Sequence, residues 1–288
     1  MGKSNTEITR LHIAPMSDEP EYTPVFWHFT GTIFNDNRFQ ALKHIDSRTL
    51  GTLGTDWWKP YTKVKKLEII DELSNYDFIK EFTGLESLTI INSETFNSLH
   101  LIEGMKDLAY LQVMGCHQVS DITPIINLRN SQQEAKDRAE SEYRNKEGSG
   151  ATLPLGLIGR FNVLSNINLT DCNISSLEPF KNDKSQSMDE LHLSWNHIQD
   201  VAGLEIFSHA YLSLSHNQIE HIESLFASSE RNYLEINLRH NLIKDISGVQ
   251  IPQAKFPGRI KIRIKHNQIP PQQLEKWRKN DNIWLMDV

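Results

Sequence analysis

The sequence predicts an α/β repeat solenoid. A parallel sheet forms the concave side, one short strand per repeat, and short irregular or 3-10 segments form the convex side. Three observations predict it. A phrase of the form L-x-L-x-x-N recurs, as in LHLSWN from Leu191, LSLSHN from Leu212 and INLRHN from Ile236. Its copies start at Leu67, Leu88, Leu111, Ile167, Leu191, Leu212, Ile236 and Ile262, separated by 21, 23, 56, 24, 21, 24 and 26 residues. A fixed period of twenty-odd residues is the mark of stacked repeat units. Neither a strand's alternation nor a helix's three-and-four spacing fits the apolar positions for long, so each copy is read as a strand, a turn and a return.

Each L-x-L is a short strand whose apolar pair points into the solenoid while the residues between point out. Successive copies stack as parallel strands roughly 4.7–4.9 Å apart. Where the chain leaves the strand inside the core, its backbone groups need partners. An asparagine is donor and acceptor at once, so it can serve its own turn and that of a neighbouring repeat. Asn196, Asn217, Asn241 and Asn267 hold this place, and Cys116 and Cys172 hold it in two earlier copies. These six residues are assigned to a structural ladder. At that spacing the cysteines are read as inert buried thiols, neither a disulfide nor a nucleophile. The following apolar pairs, Ile198/Val201 and Ile243/Ile246, are expected to pack the convex side.

The phrases resemble leucine-rich repeats of the short kind, similar to those of phosphatase-regulatory and internalin-type repeat proteins. The likeness runs from about residue 64 to 271. It implies the fold and a use as a protein-binding scaffold, because the surfaces of such repeats are interchangeable. Glu72 and Ser93 occupy the ladder place in the first two copies, so the early repeats depart from the pattern. No appended catalytic domain of the kind some bacterial repeat effectors carry is expected within these residues.

A solenoid's ends expose an apolar face that must be covered. Residues 1–63 are read as an N-terminal capping segment. They contain strand-like YTPVFWHFTGTIF, a helical spacing of Phe39, Leu42 and Ile45, and Trp57 with Trp58 just before the first repeat. Residues 64–271 are the solenoid. Residues 272–288 are read as the C-terminal cap, a short helix with Leu274 and Trp277 and an apolar strand-like tail.

The long interval holds about thirty residues more than a repeat needs. Within it, Ser131 with Glu134 three residues later is a helix-start signal. Glu134–Arg138, Glu140–Arg144 and Glu142–Lys146 are i,i+4 pairs in the stabilising order, and Gly148 and Gly150 stop the pattern. The expectation is a charged helical insertion over about 129–150, too polar for a core. It is either a solvated, partly frayed excursion or an arm that contacts a partner.

Carrying the period of two outward from each apolar pair yields a candidate partner-binding concave face. It comprises Asp171; Asp189, Glu190, His192 and Trp195; Tyr211, Ser213 and His216; Glu235, Asn237, Arg239 and His240; and Lys261, Arg263 and Lys265. Charge along it runs from acidic to basic. Trp195, Tyr211 and Arg239 are of the types that carry binding energy at interfaces; Lys261, Arg263 and Lys265 can also guard a sheet end. His216, His240 and His266 should stand in a column, without the carboxylate or thiolate that would close a metal shell. No metal and no cofactor is expected.

The formal net charge of −7 disfavours nonspecific binding to nucleic acid or anionic membranes. No apolar run approaches the eighteen residues of a membrane span, and MGKSNTEITRLHIAP lacks the apolar centre of a signal peptide. Gly2 and Thr6 match a myristoylation pattern, but no basic second signal follows. GKS lacks the upstream glycine of a phosphate loop. There is no nucleophile elbow, H-E-x-x-H, kinase set or dinucleotide turn. The expectation is a cytoplasmic, monomeric, non-catalytic scaffold that binds another protein through its concave face as a regulator or inhibitor. The alternatives are a membrane-tethered or structural adaptor and an enzyme with an unrecognised site.

Overall fold

The computed structural model describes residues 10–14, 42–46, 56–70, 72–152, 154, 161–207, 209–227, 233–251 and 260–287. Gly2, Thr6, the stretch YTPVFWHFTGTIF and Phe39 lie outside the described residues.

Eleven described strands form one parallel sheet. They are β1 (Arg10–Ala14), β2 (Leu42–Asp46), β3 (Lys66–Ile70), β4 (Ser87–Ile91), β5 (Tyr110–Met114), β6 (Asn166–Asn168), β7 (Glu190–His192), β8 (His209–Ser213), β9 (Tyr233–Asn237), β10 (Ile260–Arg263) and β11 (Ile283–Asp287). From β3 to β11 the spatial order follows the chain; at the other end β1 lies between β3 and β2. The eight phrase starts stand opposite one another, Leu67 against Leu88, Leu191 against Leu212 and Ile236 against Ile262. A period of two then turns every apolar pair to the same side. Leu191 and Leu193, Leu212 and Leu214, and Ile236 and Leu238 are all fully buried.

Short 3-10 segments carry the chain along the convex side: Asp77–Glu81, Leu99–Ile102, Glu178–Asn182, Leu204–Ile206 and Glu223–Phe226. Each contributes buried apolar residues, among them Ile79, Ile102, Phe180, Leu204 and Leu225. Phe180 meets Phe207 edge-on at 5.6 Å between ring centres. At the C-terminal end a helix over Pro271–Arg278 sets Trp277 edge-on to Phe226 at 6.0 Å, and β11 closes the sheet beside β10.

Two elements differ from expectation. The spacing of Leu42 and Ile45 reads as helical, yet Leu42–Asp46 is a strand paired with β1. Residues three apart fall on opposite faces of a strand, so the spacing favours a helix, and pairing with β1 overrides it. The insertion helix, α1 (Thr123–Glu147), starts eight residues before Ser131. Pro124 sits in its first turn, where a missing N–H is harmless, and the Thr123 N–H donates to the Asp121 carboxylate at 2.8 Å.

Ile125, Ile126, Leu128, Arg129 and Gln132 of α1 are buried, so its first turns are core and not a frayed excursion. Only the part from Gln133 onward carries the solvated charges. β5 pairs directly with β6, so no rung stands between them, and α1 serves as the convex side of its repeat.

Two polar side chains of α1 stitch these rungs together. The fully buried Arg129 donates from Nε to Asp183 at 2.8 Å, from Nη2 to the Ser187 carbonyl at 2.6 Å and to the Ser185 hydroxyl, and from Nη1 to the Leu164 carbonyl. Gln132 donates to the carbonyls of Lys106 (3.1 Å) and Leu108 (2.9 Å) and accepts the Leu164 N–H at 2.8 Å.

Candidate partner-binding face

The ladder forms as a repeated bond set. Asn196 accepts the Ile174 N–H at 2.9 Å and donates to Leu169 of the preceding repeat at 2.8 Å and to its own Leu193 and Ser194 carbonyls. Asn217, Asn241 and Asn267 each accept an N–H from the preceding repeat (Ile198, Ile219 and Ile243) and donate back to its carbonyl.

Cys172 replaces amide with thiol, donating to Val113 at 3.4 Å, and Cys116 donates to Met114 at 3.5 Å. Burial pushes the Cys116 thiol up to about 11 and that of Cys172 up to about 12, so neither is a nucleophile at neutral pH. In the earliest repeats the place is filled differently. Ser93 is buried and accepts the Tyr76 hydroxyl at 2.7 Å, while the Tyr76 oxygen accepts the Leu73 N–H at 3.0 Å. Glu72 is exposed.

The sheet's outer surface carries two rows. One runs Tyr110, Asn166, Glu190, Tyr211, Glu235, Lys261; the other runs Gln112, Asn168, His192, Ser213, Asn237, Arg263. The predicted residues Glu190, His192, Tyr211, Ser213, Glu235, Asn237, Lys261 and Arg263 therefore share this face. His192 and Tyr211 bring their rings to 5.2 Å. Asp189 lies just before β7, and Arg239 and Lys265 lie just past their strands.

Asp171, Trp195, His216 and His240 are not on the strand face. All four adopt left-handed backbone, with φ of 57°, 60°, 56° and 54°, and His266 does the same at 64°. The alternation fails there because β6 and β7 are only three residues long and the ladder turn needs a left-handed residue. Their N–H groups still bond to the next rung, Trp195 to the Ser215 carbonyl at 3.0 Å and His216 to that of Arg239 at 3.0 Å. The side chains form a column along the sheet's edge. Trp195 stacks on His216 at 3.8 Å, His216 on His240 at 4.1 Å and His240 on His266 at 4.2 Å.

Known structures are similar in fold. Internalin InlF of Listeria monocytogenes superposes with a TM-score of 0.51 over 86% of this chain and 73% of its own, at 15% identity. Internalin C2 of the same bacterium gives 0.48 over 73% of each chain at 16% identity, and the mouse RP105/MD-1 complex gives 0.47 over 85% of this chain and 42% of that one at 13%. The fold is the leucine-rich repeat solenoid. No protein-family model and no curated protein matches the sequence. Leucine-rich repeats are typically protein-binding scaffolds and generally non-catalytic.

On this leucine-rich repeat face three of the basic side chains are paired. Glu235 pairs with Arg263 at 3.1 Å and Lys261 at 3.7 Å, and Arg239 pairs with Asp287 of β11. Lys261 also lies over the Trp284 ring at 5.5 Å. A gradient from acidic to basic, read one strand at a time, overlooks partners one rung away; pairing across rungs removes most of it. Among the described residues no group of three or more His, Cys, Asp or Glu is placed to hold a metal, and no helix is long and apolar enough to cross a membrane.

Burial, then the neighbouring His240 and His266, lowers the pKa of His216. That of His266 is lowered by burial, then by His240, Lys265 and Arg239. The unfolded chain, with histidine near 6.5, then binds more protons than the folded one. This contribution to stability is full above about pH 6.5 and is lost as pH falls. His117 works the other way, its pKa raised first by Glu94 and also by Asp171, so its contribution fades as pH rises. Urea midpoints at pH 7.5 and pH 5 should show a smaller acid loss for His216→Asn, which retains a residue at ease in left-handed backbone, than for the wild type. Equal losses would place the acid sensitivity elsewhere.

Proposed function

We propose that the chain is a cytoplasmic, non-catalytic protein-binding scaffold that regulates or inhibits a partner protein through its concave face. One observation carries the reading: the two outward rows set aromatic, amide and charged side chains at fixed rung spacing across β5 to β10, so several repeats engage one partner at once. The Tyr211–His192 ring pair stands at the middle of those rows beside Glu190, and the exposed Tyr110 begins its row at β5. Burial raises the Tyr211 pKa, and Arg263, which hydrogen-bonds to it, offsets part of that rise.

The test is affinity capture from the native source followed by titration of the recovered partner. Tyr211→Ala should weaken binding by about 2 kcal/mol. Lys265→Glu, at an exposed position, should act mainly on the association rate and its salt dependence. Gln199→Ala, on the exposed convex side, should change nothing. Loss of binding in Gln199→Ala with none in Tyr211→Ala would move the interface off the concave face.

A further inference from the structure

We propose that the column's open end at Trp195 docks an arginine side chain of the protein partner, its guanidinium laid on the indole and paired with Asp171. This deepens the binding reading above and rests on it.

The first observation is conformational. Left-handed backbone is readily taken by glycine, asparagine and aspartate and avoided by bulky residues. Asn92, Gly115 and Asp171 obey that preference at this place in their repeats, and so do His216, His240 and His266, histidine being enriched in such backbone; Trp195 does not. Bulky residues held in such backbone gather where function requires their side chains.

The second is geometric. His216 covers one face of the indole at 3.8 Å and 8° between planes, yet Trp195 is 57% exposed. The next rung on its other side places Asp171, a small carboxylate, where a fifth ring would continue the column. The Asp171 N–H bonds the Ser194 carbonyl at 2.9 Å, which sets the two residues one rung apart, roughly 4.8 Å.

The third is charge. Beyond Asp171 lies His117, whose Nε2 is 3.3 Å from Asp171 and whose Nδ1 is 2.8 Å from Glu94. Two carboxylates and one imidazole remain net negative whether or not His117 is protonated. An aromatic face beside carboxylates attracts a cation. A planar guanidinium continues a stack of rings 3.8–4.2 Å apart, and its edge can still donate to Asp171; a compact ammonium cannot do both.

The probe is the blocked tripeptide acetyl-Gly-Arg-Gly-amide, with citrulline and lysine versions beside it. It is titrated into the full chain while the indole N–H resonances are followed. Trp195→His keeps the stacked column and identifies the Trp195 resonance; Trp195→Asn, suited to the backbone, is the second variant should the first fold poorly. A saturable shift of the Trp195 resonance alone is expected with the arginine peptide, weaker with lysine and absent with citrulline. Asp171→Asn should weaken it about threefold. No shift, an equal shift with citrulline or lysine, or indifference to Asp171→Asn overturns the proposal. Against the captured partner, Trp195→His should lower affinity about tenfold. If Tyr211→Ala weakens that complex and Trp195→His with Asp171→Asn does not, the arginine docking falls while the concave-face reading stands. The reverse pattern retains the docking and removes the concave face.

Discussion

Arg129→Ala is expected to destabilise the chain by about 3–5 kcal/mol. Arg129 and Asp183 are both completely buried at 2.7 Å, in a region where an unpaired charge has no water to turn to. Among the described residues, removing the guanidinium leaves the carboxylate with the Ser185 N–H and hydroxyl, each at 3.0 Å. It also deprives the Leu164 and Ser187 carbonyls of a donor. Arg129→Lys should recover only part of the loss, because a single ammonium cannot reach the four acceptors that the planar fork spans. Arg129→Met combined with Asp183→Asn should cost less than the sum of the two single changes, since the buried charge disappears with its partner. Urea denaturation of the five variants measures these differences. A single Arg129→Ala within about 1 kcal/mol of wild type would mean that the clamp between α1 and the following repeat does not form.

Asn217→Leu is expected to cost about 3 kcal/mol or more, because several buried backbone groups lose their partners together. The side chain accepts the Ile198 N–H at 3.0 Å and donates to the carbonyls of Leu193 (2.9 Å), Leu214 (3.1 Å) and Ser215 (3.3 Å). Leucine matches the volume and supplies none of these bonds. Asn217→Cys should be milder, as the thiol of Cys172 fills the equivalent place with its own bond to Val113. Chemical denaturation that finds both substitutions neutral would show that the ladder contributes nothing to stability.

The ladder was legible because its signal is local. A strand of two inward residues, a turn and an amide with both donor and acceptor fall within one short phrase, and the phrase repeats. The concave rows were legible as far as the strands extend. Beyond their ends the same alternation misplaced Trp195, His216 and His240, because strand length is set by pairing with the next rung and by the left-handed turn. The recurrence of an aromatic immediately before the ladder asparagine, in SWN, SHN, RHN and KHN, did announce the column itself. The start of α1 had a signal as well: Ile122, Ile125, Ile126 and Leu128 already fall at helical spacing ahead of the polar stretch.

What the sequence by itself determined is the repeat, its inward residues, the ladder and the absence of any recognised catalytic motif, since each depends on neighbours within a few residues or on a fixed period. Tertiary structure alone decided which charges remain free and which side chains form a site. Arg129 meets Asp183 across 54 residues, His117 meets Asp171 across 54, and Arg239 meets Asp287 across 48. A guanidinium or a carboxylate is the same letter whether it faces water or a partner. Its energy is set by the distance to the opposite charge and by the water excluded around them, and stacking one rung on another fixes both.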